Sequence, residues 1–371
     1  MLPEDQEEIF SQLALTFVNG IGIKITRLLI EQYGSAKAIF KAPLKKLIHI
    51  DGITEVKAKG FKDPEIFNQA EAELAFILKH DIQVLFVTHP LYPQRLHQCS
   101  DAPMLLYYKG TADLNAKKIV AIVGTRKNSD YGEKITEELV DGLRGQEDII
   151  ITSGLAHGID AIAHRRSVTD GIRTVGVVGH GLDRIYPVTN KKLSNDMIHA
   201  GGGILTEFRN GTLPDRSNFP MRNRVVAGIS DVTIVVESPI SGGALITAHM
   251  AGRYNREVAA FPGRTIDDRS AGCNELIRTN IASMITCADD LLTLMNWDQD
   301  AKPKAVQKQL FLNLSADEQK IVDLLQAKDA VHADELYHGS GMNNSQLAAT
   351  LLQLEMQGLI KTLPGKNYRM N

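Results

Sequence analysis

Three different rhythms of apolar and polar positions follow one another along the chain. Over residues 1–80, apolar residues recur at helical spacing in LALTFVNGIGIKITRLLIEQYGSAKAIF and again in LKKLIHIDGITEVKAKGF. A Gly-bearing turn interrupts each stretch, which predicts short helices joined as hairpins, with Gly20, Gly22 and Gly52 at the turns. From 81 to 296 the pattern becomes short apolar runs alternating with amphipathic stretches: KKIVAIV, DIIITS, RTVGVV, GGILTE, DVTIVVES, EVAAFPG and SMITC. Strands that are apolar on both faces belong to a parallel sheet covered on each side, so this segment predicts a doubly wound α/β domain. LFVTHPLYPQRLHQCSDAPMLLYYKG adds a preceding strand and an irregular lead-in. Residues 297–308 are polar and contain a proline, as a linker does. Residues 309–371 read as three helices followed by two short strands around a Pro-Gly turn, the order of a winged-helix module. Its third helix, NNSQLAATLLQLEMQG, carries no Lys or Arg, which weakens groove reading and leaves a protein-contact or structural role on at least equal footing.

Bulk composition changes this picture little. A formal net charge of −3 argues against a uniformly basic nucleic-acid coat but leaves room for a local basic groove. Cys99, Cys273 and Cys287 are far apart and lack CxxC spacing, so neither a zinc site nor a disulfide framework is expected. The acidic, polar start and the absence of any run of ~20 apolar residues predict a cytoplasmic protein without a membrane span.

The glycines carry more information. Strand after strand ends in a Gly-bearing loop that leads to a helix: Gly124-Thr125-Arg126, Ser153-Gly154 with Gly158, Gly179 with Gly181, Gly242-Gly243, and Gly263 with Gly272. Loops that expose amides beside helix N-termini form an anion-binding rim, and the strand ends of such sheets are where ligands bind. No GxGxxG opens the fold and no GxxxxGK[ST] is present, so no nucleotide cofactor is expected. Arg126, Arg184, Arg222 and Arg224 supply guanidinium groups that suit phosphate oxygens. Helical geometry puts Arg222 and Arg224 on different faces, one toward phosphate and the other supporting the fold. His157, Asp160 and His164 are spaced as helical neighbours and point to hydrogen bonding or capping; no metal is expected. Glu207 and Glu237 are the best placed acids for hydrolysis, with at least one expected to hold an arginine or a loop amide. No aromatic stacking platform stands out, and Trp297 reads as local packing.

The strings GTRKNSDYG, SGLAHGIDAIAH, GLDRIYP, GGGILTEF, FPMRNRVVAGIS, VVES followed by SGGALITAHMA, NREVAAFPG and GCNELI, in that order, resemble the DNA-processing protein A (DprA/Smf) family along nearly the whole chain. The resemblance implies an extended Rossmann-like fold, a helical domain of the sterile-alpha-motif type before it and a winged helix after it. It implies single-stranded DNA binding, loading of the RecA recombinase during natural transformation, and a homodimer formed through the Rossmann-like domain. It places DNA phosphates against Gly124, Thr125 and Arg126, the loop from Ser153 and Gly154, the Arg222/Arg224 string and the Gly242–Gly243 helix start. His157 stands where many relatives carry a basic residue. Related folds include phosphoribohydrolases of the lysine-decarboxylase-like group, which use a Gly-Gly-x-Gly-Thr loop with a following glutamate. SGGALITAH has Ala244 and Ile246 and no such glutamate. The reading is therefore a DNA-binding protein and not an enzyme, with nucleotide hydrolysis as the alternative and a purely scaffolding role as a third possibility.

Overall fold

The computed structural model describes residues 3–297, 314–326, 330–357, 359–363 and 366–370. Six helices come first: α1 (Pro3–Phe17), α2 (Ile23–Tyr33), α3 (Ala36–Lys41), α4 (Leu44–Leu47), α5 (Glu55–Gly60) and α6 (Pro64–His80). Local chemistry starts and stops them. Ser35, Thr54 and Asp63 cap α3, α5 and α6 through their side chains, and Pro64 occupies the first turn of α6, where its missing N–H is no loss. Gly20 and Gly52 take the positive φ values, 77° and 83°, that their turns require. Leu13, Leu29, Ile39, Leu47 and Phe61 are fully buried between the helices.

That core does not end at the helices. Val84 and Phe86 of β1 (Gln83–Phe86) join the same apolar cluster. After α7 (Gln94–His97), Leu105 and Tyr107 of β2 (Leu105–Gly110) join it too. β1 and β2 pair antiparallel and bridge the helical segment to the main sheet.

The remaining elements of this first unit are β3 (Lys118–Val123), α8 (Asp130–Gly142), β4 (Ile149–Ser153), α9 (Ile159–Thr169), β5 (Arg173–Val177), α10 (Lys191–His199), β6 (Gly203–Thr206), α11 (Asn218–Ile229), β7 (Val232–Val235), α12 (Gly243–Arg253), β8 (Glu257–Ala260), α13 (Ala271–Arg278), β9 (Ser283–Met284) and α14 (Ala288–Leu294). The nine strands run in the order β1-β2-β6-β5-β4-β3-β7-β8-β9, and every pair from β6 to β9 is parallel. Every residue of β3, β4, β6 and β7 is buried, as expected of strands covered on both faces. One face packs under α11, α12 and α13 through residues such as Val225, Val226, Leu245 and Leu276. The other packs under α8, α9 and α14 through Leu139, Val140, Ile159 and Leu291. The chain moves outward from β3 through β4, β5 and β6, then returns to place β7 on the far side of β3. The order therefore reverses between β3 and β7, and the loops at their C-terminal ends diverge to leave a crevice.

The second unit holds α15 (Ala316–Gln326), β10 (Val331–His332), α16 (Ala333–Ser340), α17 (Asn344–Met356), β11 (Ile360–Leu363) and β12 (Asn367–Met370). Its sheet has the order β10-β12-β11. Three helices and a small antiparallel sheet make a winged helix; the sequence pattern missed the two-residue strand β10. Asn343 and Gln346 form a reciprocal capping box at the start of α17, whose Leu347, Leu351 and Leu354 are buried. Apart from Trp297, the stretch read as a linker lies outside the described residues.

Candidate functional site

The crevice at the switch between β3 and β7 has a volume of about 420 Å³. The loops after β3 and β4, α11 and the start of α12 wall it. Two glycines let the first two loops close on each other. A Cβ on Gly158, already at φ 76°, would stand 2.2 Å from the carbonyl oxygen of Thr125. One on Gly124 would stand 2.5 Å from Cγ1 of Ile159.

This closeness engages donors that the sequence pattern offered to a ligand. The Thr125 N–H donates to the Glu237 carbonyl at 2.7 Å. The buried Ser153 hydroxyl donates to the Ile122 carbonyl at 2.6 Å. The N–H groups of Gly154 and Ala156 donate to Asp160 at 3.1 and 3.4 Å. The amides of Thr125, Gly154 and Ala156 are thus not an open cradle; they are taken by Glu237 and Asp160, and these bonds set the shape of the cleft. Backbone donors remain at α12, where Gly242 is the N-cap and Gly243 the first helical residue. A Cβ on Gly242 would meet the Ser238 hydroxyl at 2.1 Å, whereas Gly243 faces open space. The first N–H groups of a helix have no partner inside it and favour an anion.

Of the four arginines singled out from sequence, Arg126 and Arg222 line the cleft. Arg126 is exposed, and its guanidinium lies 4.9 Å from the centre of the Phe219 ring. Phe219 in turn faces Tyr186 at 6.3 Å with an interplanar angle of 32°. A second, tight niche between the strand ends is lined by Arg126, His157, Tyr186 and Phe219. An aromatic platform thus exists where the linear pattern showed none: Tyr186 sits on the loop after β5, Phe219 in the first turn of α11, and the two meet only in the fold. The aromatics in GLDRIYP and NFPMRNR, each close to an arginine, were the signal available. Arg216, passed over in the sequence, also lines the cleft.

Arg222 is only 5% exposed. It donates to the Val177 carbonyl at 2.5 Å and to the Gly154 carbonyl, joining the ends of β4 and β5 beneath the cleft. Burial lowers its pKa to about 10, with the neighbouring Arg126 charge adding to the effect and Asp160 opposing it. It therefore remains a cation at neutral pH. Burial raises the Asp160 carboxyl, and the Arg222 charge and the loop amides work against that rise.

Arg224 points elsewhere. It pairs with Glu207 and donates to the Asp101 carbonyl, beside a separate cavity under the helical segment. Burial pushes the Glu207 carboxyl up to about 7 even beside that guanidinium. Arg224 supports the fold, as expected of one member of the pair, but Arg222 does so as well. Arg184 is held by Asp183 at 2.6 Å and borders a different depression together with Lys109 and Lys191. Glu237 accepts from the Ser129 N–H at 2.9 Å and its hydroxyl at 2.5 Å, fixing the start of α8. Both acids considered for hydrolysis thus hold an arginine or a loop amide.

The histidines separate by environment. His157 is exposed at the niche, while His164 is buried against the Thr174 hydroxyl at 2.6 Å, and burial lowers its pKa to about 3. Asp160 caps loop amides, so His157, Asp160 and His164 serve three separate purposes. His180 is also lowered, mainly by burial. Held neutral, it donates from Nδ1 to the Gly181 carbonyl at 2.9 Å and accepts the Tyr186 N–H on Nε2 at 3.1 Å. This pair of bonds orients the loop that presents Tyr186. Among the described residues, no cluster of three metal-ligating side chains occurs and no helix is long and apolar enough to cross a membrane.

The chain matches the family model for DNA recombination-mediator protein A over residues 83–296 and that for the DprA winged-helix domain over residues 304–366. The DNA processing protein DprA of Streptococcus pneumoniae is 41% identical over 54% of this chain and 70% of its own length. Protein Smf of Synechocystis is 33% identical over 77% of this chain and 80% of its own. Among solved structures, the S. pneumoniae DprA superposes with a TM-score of 0.63 at 31% identity, over 78% of this chain and 97% of that one. The DNA processing protein A of Helicobacter pylori, a protein studied for its single-stranded DNA binding mode, gives 0.52 at 28% identity over 58% and 96%. With the reversed sheet order, the Gly-Thr-Arg loop and the winged helix, these matches show that the chain belongs to the DNA recombination-mediator protein A (DprA/Smf) family.

Proposed function

We propose that this protein binds single-stranded DNA in the cleft between β3 and β7 and delivers a RecA-type recombinase to it, in natural transformation or related recombination. The observation that carries the reading is Arg126 over the Phe219 ring in the cleft, with Tyr186 tilted beside that ring in the adjoining niche. Phosphates are met by Arg126, Arg216 and the start of α12. Bases splayed from a single strand stack on Phe219 and Tyr186, which a paired base in a duplex cannot reach. Arg222, Gly154, Ser153 and Thr125 hold the loops in place, and His157 adds a donor at the niche. Arg184 and Arg224, bound to Asp183 and Glu207, belong to the scaffold. A single cleft holds a short stretch of strand, so pairing of two copies through the α/β domain extends the tract.

Two features favour binding over nucleotide hydrolysis. Asp160, the carboxylate lining the cleft among the described residues, already accepts two amides, and SGGALITAH lacks the glutamate of the hydrolase loop. The test is titration of labelled single-stranded and duplex oligonucleotides with wild type and Arg126→Ala at two salt concentrations, with nucleotide turnover measured in parallel. Single-strand binding that the variant loses, without turnover, supports the reading. Recombinase loading is then read as faster filament formation on strands pre-coated with a single-strand binding protein; no acceleration removes that part of the proposal.

A further inference from the structure

The hairpin turns of the helical segment remain unused by the cleft, and they are not equivalent to the rest of that segment. Between Lys41 and Lys62 the chain carries six lysines and His49 against only Asp51 and Glu55. Lys41, Lys45, Lys46, Lys59 and Lys62 are all exposed, and so is His49. The remaining acids of the segment lie mostly on α1 and α6; exposed Asp63 caps α6 right after Lys62, and three others are engaged elsewhere. Glu7 pairs with Lys37, Glu8 accepts the Ala36 and Lys37 amides at 2.8 and 3.0 Å, and buried Glu73 accepts the Asn210 amide at 3.0 Å. Among the described residues, none of the six lysines from Lys41 to Lys62 forms an ion pair with a carboxylate.

The fold makes one surface of them. Lys62 donates to the Phe40 carbonyl at 2.7 Å, which brings the end of the second hairpin to the end of α3 beside Lys41. α4, with Lys45 and Lys46, packs on α5, with Lys57 and Lys59. The two turns also interlock reciprocally. A Cβ on Gly20 would lie 2.9 Å from Cε of Lys57, and one on Gly52 would lie 3.3 Å from Cδ1 of Ile25. Lys57 and Ile25 stand the same number of positions after their respective turn glycines, so each turn receives the equivalent side chain of the other hairpin. Lys57 also donates to the Gly52 carbonyl at 2.8 Å, fixing the turn. The result is a continuous cationic face.

We infer that this face is a second nucleic-acid site, one that takes the phosphate backbone of duplex DNA and not the single strand. Lysines act as point charges that suit a regularly charged rod and carry no base information. The exposed large apolar side chains within the stretch are Ile48 and Val56, neither of them aromatic, so the face offers no stacking platform for unpaired bases. A protein with a single-strand cleft and a duplex face would engage a junction, where a strand leaves or enters a duplex. The duplex site does not depend on the cleft reading.

The test uses the full chain with three probes: a single-stranded oligonucleotide, a blunt duplex, and the two joined as a tailed duplex. Lys45→Gln, Lys46→Gln and Lys59→Gln are combined, and Arg126→Ala serves as the counter-variant. The triple variant is expected to lose duplex affinity by about tenfold or more and to lower the slope of log affinity against log salt by about 3, at roughly 0.9 per lost phosphate contact. Its single-strand affinity and unfolding midpoint stay at wild-type values, while Arg126→Ala shows the reverse pattern on the two probes. The tailed duplex binds wild type more tightly than either part alone. Absence of wild-type duplex binding, or duplex binding that survives the triple substitution through the winged helix or another surface, overturns the proposal. So does duplex binding that falls with Arg126→Ala. A loss of cleft function alone shows as failed single-strand binding with duplex binding intact.

Discussion

Arg126→Ala tests the cleft most directly, because the fold makes little use of this side chain. Arg126 is exposed and rests on the Phe219 ring 4.9 Å away without an ion pair among the described residues. Its removal gives up one exposed cation–π contact of about 0.5–1 kcal/mol, so the unfolding midpoint should move little. Binding should respond far more strongly. A charge-assisted hydrogen bond to phosphate contributes about 1.5–3 kcal/mol, which at about 1.4 kcal/mol per decade weakens single-strand affinity by roughly 10- to 150-fold. Because one phosphate contact disappears, the slope of log affinity against log salt should fall by about 0.7. Phe219→Ala provides the contrast: loss of one stacked base weakens binding by about 1–3 kcal/mol and leaves the slope unchanged. The two single variants and the double variant, titrated by fluorescence anisotropy over a range of salt, separate charge from stacking. If Arg126→Ala keeps the wild-type slope, the guanidinium does not meet a phosphate. If Phe219→Ala binds normally, no base stacks on that ring.

Three further outcomes follow from the buried groups. Gly154→Ala places a Cβ 2.3 Å from Nη1 of Arg222, whose buried guanidinium is held by two carbonyls. Displacing that cation should reduce stability by about 3 kcal/mol in urea unfolding, and an unchanged midpoint would mean that the arginine moves aside freely. Glu207, pushed up to about 7 in the fold, binds its proton more tightly there than in the unfolded chain. Its contribution to stability is present at low pH and is lost as pH rises from about 4.5 through 7, so Glu207→Gln should flatten unfolding midpoints over that window. His164 has the opposite sign: lowered to about 3, it stays neutral in the fold while the unfolded chain takes up a proton below about 6.5. Wild type should lose stability as pH falls through that range and His164→Asn should lose less; equal acid sensitivity would place the effect elsewhere.

The order of elements was legible because it rests on local rules. Runs such as IVAIV (119–123) are apolar at every position only in strands covered on both faces, and the caps Ser35, Thr54 and Asp63 mark helix starts without reference to anything distant. Glycines after successive strands marked the sheet edge where the crevice opens for the same reason, since a tight turn is a property of a few consecutive residues. Their role was not legible. Gly124 and Gly158 look like openings for a ligand, yet they are small because Ile159 and the Thr125 carbonyl press against them. The amides of Thr125 and Gly154 look free until Glu237 and Asp160, from other elements, accept them.

Sequence by itself therefore determined the α/β class, the helical and winged-helix character of the flanking segments, and the sheet edge at which the Gly-bearing loops gather. Tertiary structure decided which groups are free at that edge. Arg222 and Arg224 are near neighbours in one helix, but their side chains leave on different faces, one beneath the cleft and one toward Glu207. Tyr186 and Phe219 are distant in the chain, but the loop that His180 fixes brings Tyr186 beside the start of α11. Backbone periodicity is encoded over a few residues and can be read along a line. Which donor finds which acceptor depends on the crossing of β3, β4, β5 and β7, and no local pattern contains it.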